Sequence, residues 1–221
     1  MTSTPTQDAL PPIRNMGPYK VAEAIYLSPF SPSDTTELHR ILNITSAVSL
    51  GLYGENMTFP FPLENAQAFT QWHLQRRTER RIVDCWAIRS SPEGPVIGLI
   101  GVNDFGHVED GMDICYKAAS TDPSEHTGEE AQVPMRCGKF GYWLSPEVTG
   151  QGIMTRVLDY VLRQLARQAI GLERVHGKAW EDNVASCRVM ERVGMRREKS
   201  FPWYVPKFEE TKMCAHYVLD L

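Results

Sequence analysis

The chain of 221 residues has no basic surplus, few cysteines and no long apolar run, and each of these lacks removes a class of function. Lysine and arginine number 23 against 27 aspartate and glutamate, a formal net charge of −4. Binding to a nucleic-acid backbone calls for the opposite balance, so no nucleic acid is expected as a partner. No stretch offers about twenty consecutive apolar residues, and the Thr-, Ser- and Pro-rich start from Met1 to Asn15 lacks the apolar core of a secretory signal. A soluble, cytoplasmic protein with no membrane partner is the expectation. The cysteines (Cys85, Cys115, Cys137, Cys187, Cys214) are odd in number, widely spaced and without a Cys-x-x-Cys pair. They read as reduced thiols rather than a disulfide frame or a zinc site, and no metal is expected.

What is present suits a single α/β domain. Residues 1–19 read as a disordered leader, with the folded domain over 20–221. Ala22 to Leu27 reads as a strand, Ser33-Asp34 with Glu37 as a helix start, and Leu63 to Arg77 as a second helix with Ala66, Phe69, Trp72 and His73 at helical spacing. Ile82 to Arg89 and Pro95 to Val102 read as strands joined by a Pro- and Gly-bearing turn. Lys139 to Leu144 is a further strand. A helix over Gly152 to Ile170 carries Val157, Leu158, Val161, Leu162 and Leu165 on one face and Arg163 and Arg167 on the other, with Gly171 as its stop. A strand over Arg174–Trp180, a helix over Asn183–Val193 closed by Gly194, and a final strand over Thr211–Leu219 complete a mixed sheet.

One segment breaks the pattern. From about 107 to 138 the chain holds seven acidic and two basic residues and little apolar periodicity. It reads as a solvated insertion, or as a lid that selects a cationic substrate by charge.

Between the Lys139–Leu144 strand and the long helix lies Ser145-Pro-Glu-Val-Thr-Gly-Gln-Gly-Ile-Met-Thr-Arg156. A glycine turn that leads from strand into helix gathers several unpaired N–H groups at the positive end of the helix dipole, which is an anion site. The stretch has neither the closing Lys-Ser/Thr of a P-loop nor the spacing of Gly-x-Gly-x-x-Gly. It resembles the Q/R-x-x-G-x-G/A loop of the GNAT N-acetyltransferases, in register Thr149-Gly150-Gln151-Gly152-Ile153-Met154, with Gly152 kept and Thr149 and Met154 departing from the preferred residues. Ala179 to Met195, with Asn183-x-x-Ser186 and Gly194-Met195, resembles the second signature of the RimJ/RimL-like branch. Phe140 to Pro146 is similar to that branch's fourth strand, and Thr58 to Ala66 to the loop before its second helix.

The resemblance implies a single GNAT-like domain, a mixed and mostly antiparallel sheet with helices on both faces. It also implies acetyl-CoA as co-substrate and a primary amine as acceptor, possessed by a monomer or a homodimer. The pantetheine arm would lie along the strand end at Tyr142, Trp143 and Leu144, and the pyrophosphate would meet the loop Thr149, Gly150, Gln151, Gly152, Ile153, Met154 and Thr155, with Asn183 reaching the arm. For the proton returned to the thiolate the resemblance points to Ser186, with Tyr204 next. Glu181, Asp182, Asp104 and His176 are the candidates for a base, with a base acting through a water as the equal alternative, because Gly138-Lys139-Phe140 offers no carboxylate where the family often has one. The competing reading is a non-catalytic acyl-CoA sensor that keeps the fold and has lost the base.

Overall fold

The computed structural model describes residues 14–46, 57–103, 116–118, 132–134 and 136–221. Eight strands form one sheet in the order β1-β2-β3-β4-β7-β8-β10-β9, and two short strands pair separately. The elements run β1 (Tyr19–Ala22), β2 (Ile25–Pro29), α1 (Thr35–Leu42), α2 (Leu63–Arg80), β3 (Cys85–Arg89), β4 (Val96–Asn103), β5 (Tyr116–Ala118), β6 (Gln132–Pro134) and β7 (Cys137–Leu144). After them come a long helix α3 from Ile153, β8 (Arg174–Trp180), α4 (Val184–Arg192), β9 (Arg196–Val205) and β10 (Glu210–Asp220). All pairings in the large sheet are antiparallel except β7 with β8.

Both faces of the sheet are covered. Trp86, Ile88, Ile100, Val102 and Phe140 face one way and pack on Val157, Leu158, Leu162 and Leu165 of α3 and on Met190 of α4. The alternate residues Cys85, Ala87, Leu99 and Trp143 face the other way, onto Phe30, Leu38, Ile41 and Ala66 from the α1 and α2 side. Side chains alternate between the faces of a strand, so a strand covered on both sides is apolar except where a buried polar group finds partners, as Arg89 of β3 does. In β3 every residue is buried.

Several boundaries differ from the sequence expectation, each for a local reason. The single strand expected at Ala22 to Leu27 is a hairpin, β1 and β2, turning at Glu23-Ala24 with Ala24 in the left-handed region (φ 53°) and no Gly, Pro or Asn to announce it. α2 continues to Arg80 and stops at Arg81, again left-handed without glycine (φ 55°). The strand expected from Ile82 begins at Cys85, because Ile82 bridges Arg14 and Asp84 is drawn to Arg76 (2.7 Å). That bridge also brings residues 14–19 of the expected leader into the fold, while residues 1–13 lie outside the described residues. Helix α3 is α-helical over Ile153–Tyr160 and π-helical over Val161–Ile170, ending at Gly171 (φ 79°). β9, which pairs with β10, has its residues almost all exposed and so carried no apolar period. Of the acidic stretch, most lies outside the described residues; β5 and β6 pair antiparallel, and Cys137 and Gly138 already belong to β7.

Gly177 shows how tightly the core beneath α3 and α4 is fitted. A Cβ there would stand 2.4 Å from Phe140 Cζ and 2.7 Å from Met190 Sδ. Gly177→Ala is expected to lower stability by about 1–3 kcal/mol through overpacking, read as a reduced denaturation midpoint at unchanged slope.

Candidate active site

Strands β7 and β8 pair over only three positions, Cys137 with Arg174, Gly138 with Val175 and Lys139 with His176. Beyond them β7 follows β4 through Leu144, and β8 follows β10 through Trp180. The two parallel strands therefore part, and the opening widens into a cleft of about 770 Å³ whose walls include Tyr142, Leu144, Lys178 and Trp180. Ser145 N–H donates to Ile97 O of β4 (2.8 Å). Backbone direction alternates along a strand, so Leu144 and Tyr142 aim their N–H and C=O groups away from β4 and into the gap. An extended, amide-bearing chain laid there meets a ready-made strand edge.

At the wide end stands the glycine turn. Ser145 Oγ accepts from Glu147 N, Pro146–Val148 form a short 3-10 turn, and Gly150 (φ 77°) and Gly152 (φ 70°) both adopt left-handed backbone. Among the described residues, a Cβ on Gly150 would meet nothing within 4 Å, and one on Gly152 only Arg156 Nη2 at 3.9 Å. These glycines are thus not squeezed by the protein; the space beside them is cleft. Gly152 caps α3 without a side-chain hydrogen bond, which leaves the first amides of the helix, Ile153, Met154 and Thr155, pointing at that space. Thr155 Oγ1 is buried with no hydrogen-bond partner among the described residues. Met154, where the family prefers a small residue, is turned into the core at 6% exposure, so only its backbone faces the turn. Thr149, exposed, bonds back to Pro146 O (3.0 Å). Arg188 and Arg192 of α4 also line the cleft. Free amides at a helix start, an unsatisfied hydroxyl and two guanidinium groups are a donor set for a phosphate-bearing ligand.

On the opposite wall Asn183 caps α4, its Oδ1 accepting from Ser186 N (3.1 Å). Ser186 Oγ lies 2.8 Å from Tyr142 Oη, a bond that bridges the two sides of the gap. Burial pushes the Tyr142 hydroxyl up to about 12, the bond to Ser186 pulling the other way. Tyr142 then keeps its proton at every working pH. Nothing in the sequence pattern separated it from a sheet aromatic, since its partner lies 44 residues away.

The structure brings most of the expected site residues together and leaves Tyr204, Glu181 and Asp182 outside the cleft lining. Trp143, Leu144, Thr149, Gly150, Gly152, Ile153, Met154, Thr155, Asn183 and Ser186 line the cleft, and Gln151 sits on the turn between its glycines. Tyr204 is 57% exposed on β9 and is not among the lining residues, although its neighbour Trp203 is. Glu181 is likewise outside the lining, its carboxylate paired with Arg197. Asp182 pairs with Lys212 (2.6 Å), and Asp104 lies outside the described residues. Of the four candidate bases, His176 stands in the cleft. Cys187 donates toward Trp180 O (3.8 Å) as a packing residue. The four cysteines described, Cys85, Cys137, Cys187 and Cys214, are free, and among the described residues no group of three His, Cys, Asp or Glu is placed to hold a metal. No helix among them is long and apolar enough to cross a membrane.

A parted pair of parallel strands beside a glycine turn and helix start is the architecture of an acyl-CoA-binding acetyltransferase. The family model for the acetyltransferase (GNAT) domain matches residues 24–196, and the chain belongs to that family. Its fold is shared with the microcin C7 self-immunity acetyltransferase MccE, solved with acetyl-CoA and AMP (15% identity, TM-score 0.67, covering 95% of this chain and 98% of that one). It is shared equally with RimL, the ribosomal L7/L12 alpha-N-protein acetyltransferase, solved with coenzyme A (17% identity, TM-score 0.66, covering 91% and 97%). Mycobacterium smegmatis RimJ, solved with a coenzyme A disulfide, is similar at 16% identity and TM-score 0.64, covering 90% and 83%.

Proposed function

We propose that the protein transfers the acetyl group of acetyl-CoA to a primary amine, borne by a small molecule or by a protein N-terminus, through direct attack of the amine nitrogen on the thioester. The observation that carries this reading is the splayed β7–β8 edge joined to the glycine turn, which gives one continuous run of backbone donors from phosphate to thioester. Leu144 and Tyr142 would pair with the amides of the pantetheine arm, and a main-chain N–H on this edge would polarise the thioester carbonyl. Gly150, Gly152 and the amides of Ile153 to Thr155 would hold the diphosphate, with Arg188 and Arg192 close by.

Tyr142 and Ser186 would serve the departing sulfur. A thiol titrates near 8.5. Full transfer of a proton from Tyr142 at about 12 is uphill by roughly 3.5 pKa units, or about 5 kcal/mol. The hydroxyl therefore acts by donating a hydrogen bond that stabilises the thiolate as it leaves, and Ser186 orients it. Tyr142→Phe is expected to lower kcat by about 10²-fold, with the acetyl-CoA Kd within twofold of wild type. Ser186→Ala is expected to give a smaller loss in the same direction. A rate unchanged in both would remove the pair from the mechanism.

The charged residues lining the cleft among those described are Lys139, Lys178, Arg188 and Arg192, all basic. A cationic acceptor would have to be recognised by the acidic stretch around 107–138, which lies largely outside the described residues. The reading is tested by calorimetric titration with acetyl-CoA followed by thiol release over a panel of amines. One site per chain and release with an amine are the expected result. Coenzyme A binding without turnover on any amine would mark the protein as a sensor instead.

A further inference from the structure

Acetyl-CoA carries a diphosphate on the ribose C5′ and a phosphate monoester on C3′, and the glycine turn accounts for the diphosphate alone. The structure assigns the monoester to Arg188 and Arg192 of α4, a clamp that makes this chain prefer coenzyme A thioesters to their 3′-dephospho forms; this rests on the acetyltransferase reading above.

The helix face comes first. Ala185, Arg188, Val189 and Arg192 all line the cleft. Their spacing of i, i+3, i+4 and i+7 is one stripe of an α-helix. Met190, on the opposite side of α4, is buried at 1% and packs under the sheet-facing surface of the helix, which fixes the stripe toward the cleft. Ser186 marks the thioester end of this wall through its bond to Tyr142 Oη (2.8 Å). At the rise of an α-helix, Arg188 lies about 3 Å and Arg192 about 9 Å further along the axis. The two guanidinium groups therefore stand away from the reacting carbon, on the face of the sheet that also carries the start of α3.

Their charges are not spent within the protein. Two other exposed helical arginines have carboxylate partners, Arg163 with Asp159 (2.7 Å) and Arg40 with Glu37 (2.8 Å). Arg188 and Arg192 make no ion pair and no side-chain hydrogen bond among the described residues. The one carboxylate of α4, Glu191, accepts from Tyr217 Oη (3.0 Å), and no aspartate or glutamate among the described residues lines the cleft. Arg192 at the end of α4 suits the helix dipole, but Arg188, a turn earlier, gains little from it. Like charges four residues apart repel, so the pair costs the helix stability until an anion sits between them.

The ligand has such an anion to offer. On the proposed reading the amides of Ile153, Met154 and Thr155, with Thr155 Oγ1, are taken by the diphosphate. The C3′ monoester branches from the same ribose and so comes within reach of the walls beside the turn. At pH 7 it carries a charge of about −1.5 to −2, the densest on the ligand. Two guanidinium forks match its oxygens in pairs, which a lysine could not do.

Calorimetry on the full-length protein tests this with two probes, acetyl-CoA and acetyl-3′-dephospho-CoA. Wild type is expected to bind the dephospho probe about 30- to 100-fold more weakly. The double variant Arg188→Gln with Arg192→Gln should lose that same factor for acetyl-CoA, and should bind the dephospho probe within twofold of wild type. Wild-type Kd values within twofold for the two probes would overturn the clamp, a comparison that needs no variant. An equal loss for both probes in the double variant would overturn it as well, because the arginines would then serve the diphosphate. A wild-type protein that binds neither probe would overturn the acetyltransferase reading along with the clamp, so the two failures are told apart.

Discussion

Gly152→Asp is expected to raise the acetyl-CoA Kd by at least about 100-fold while leaving the fold almost untouched. Gly152 is left-handed at φ 70°, a conformation that costs an L-residue roughly 1–2 kcal/mol, least of all for Asn and Asp. Its position is also the cap of α3, where aspartate is a preferred residue and can bond the free amides. Among the described residues nothing obstructs a Cβ, the nearest atom being Arg156 Nη2 at 3.9 Å. The folded state should therefore tolerate the change, and the thermal midpoint should move by only a few degrees. The ligand should not tolerate it. A carboxylate about 5 Å from a phosphate charge, at an effective dielectric near 20, is repelled by about 3 kcal/mol, and it occupies amides the diphosphate would use. Gly152→Asn keeps size and capping without the charge, so its loss should be distinctly smaller. Calorimetry on the three proteins decides the matter, and an unchanged Kd in Gly152→Asp would remove the turn from the binding site.

The lining of the cleft was legible in the sequence because its parts are local. A glycine turn, a helix start and an Asn-x-x-Ser cap are fixed by neighbours a few residues apart, and Gly150, Gly152, Asn183 and Ser186 all line the cleft. The sheet with helices on both faces was legible for the same reason, as apolar period survives wherever an element has a buried face. What was not legible depends on strand register. Whether Tyr142 or Tyr204 serves the cleft turns on which face of its own strand each takes, and the Tyr142–Ser186 bond joins elements far apart in sequence. The His176–His216 contact arises from the antiparallel β8–β10 pairing, in which His176 stands opposite Val218 and Lys178 opposite His216. Glu181 lies outside the cleft lining, its carboxylate taken by Arg197 across the turn. The two hairpin and helix ends missed at Ala24 and Arg81 are left-handed non-glycine residues, which tertiary packing enforces against local preference.

The wall that α1 forms over the sheet is held by a buried ion pair, and Asp34→Ala is expected to be the most destabilising single change at this wall. Arg89 Nη2 and Asp34 Oδ2 are 2.7 Å apart, with side chains 9% and 7% exposed. Arg89 is otherwise satisfied by Ser28 Oγ (2.7 Å) and Gly94 O (2.8 Å), and Asp34 Oδ2 also accepts from Ser31 N (2.8 Å) and Ser31 Oγ (3.0 Å). One carboxylate thus joins the entry of α1 to the middle of the sheet. Its removal leaves a buried guanidinium without its counter-charge, at a cost of about 3–5 kcal/mol. For a chain of this size that corresponds to a fall in Tm of roughly 6–20 °C. The cost belongs to the orphaned charge rather than to the pair, because desolvating two ions consumes most of what their attraction returns. Replacing both partners, as Asp34→Leu with Arg89→Met, should therefore recover most of the stability that Asp34→Ala loses. The same face carries Trp143 of β7 in a cluster with Phe30, Leu38 and Ile41. Loosening α1 should consequently relax β7, whose edge lines the cleft, and on the proposed reading KM for acetyl-CoA should rise in Asp34→Ala and return in the double variant. A Tm within two degrees of wild type in Asp34→Ala would mean that water reaches Arg89 and that the pair is not what fastens this wall.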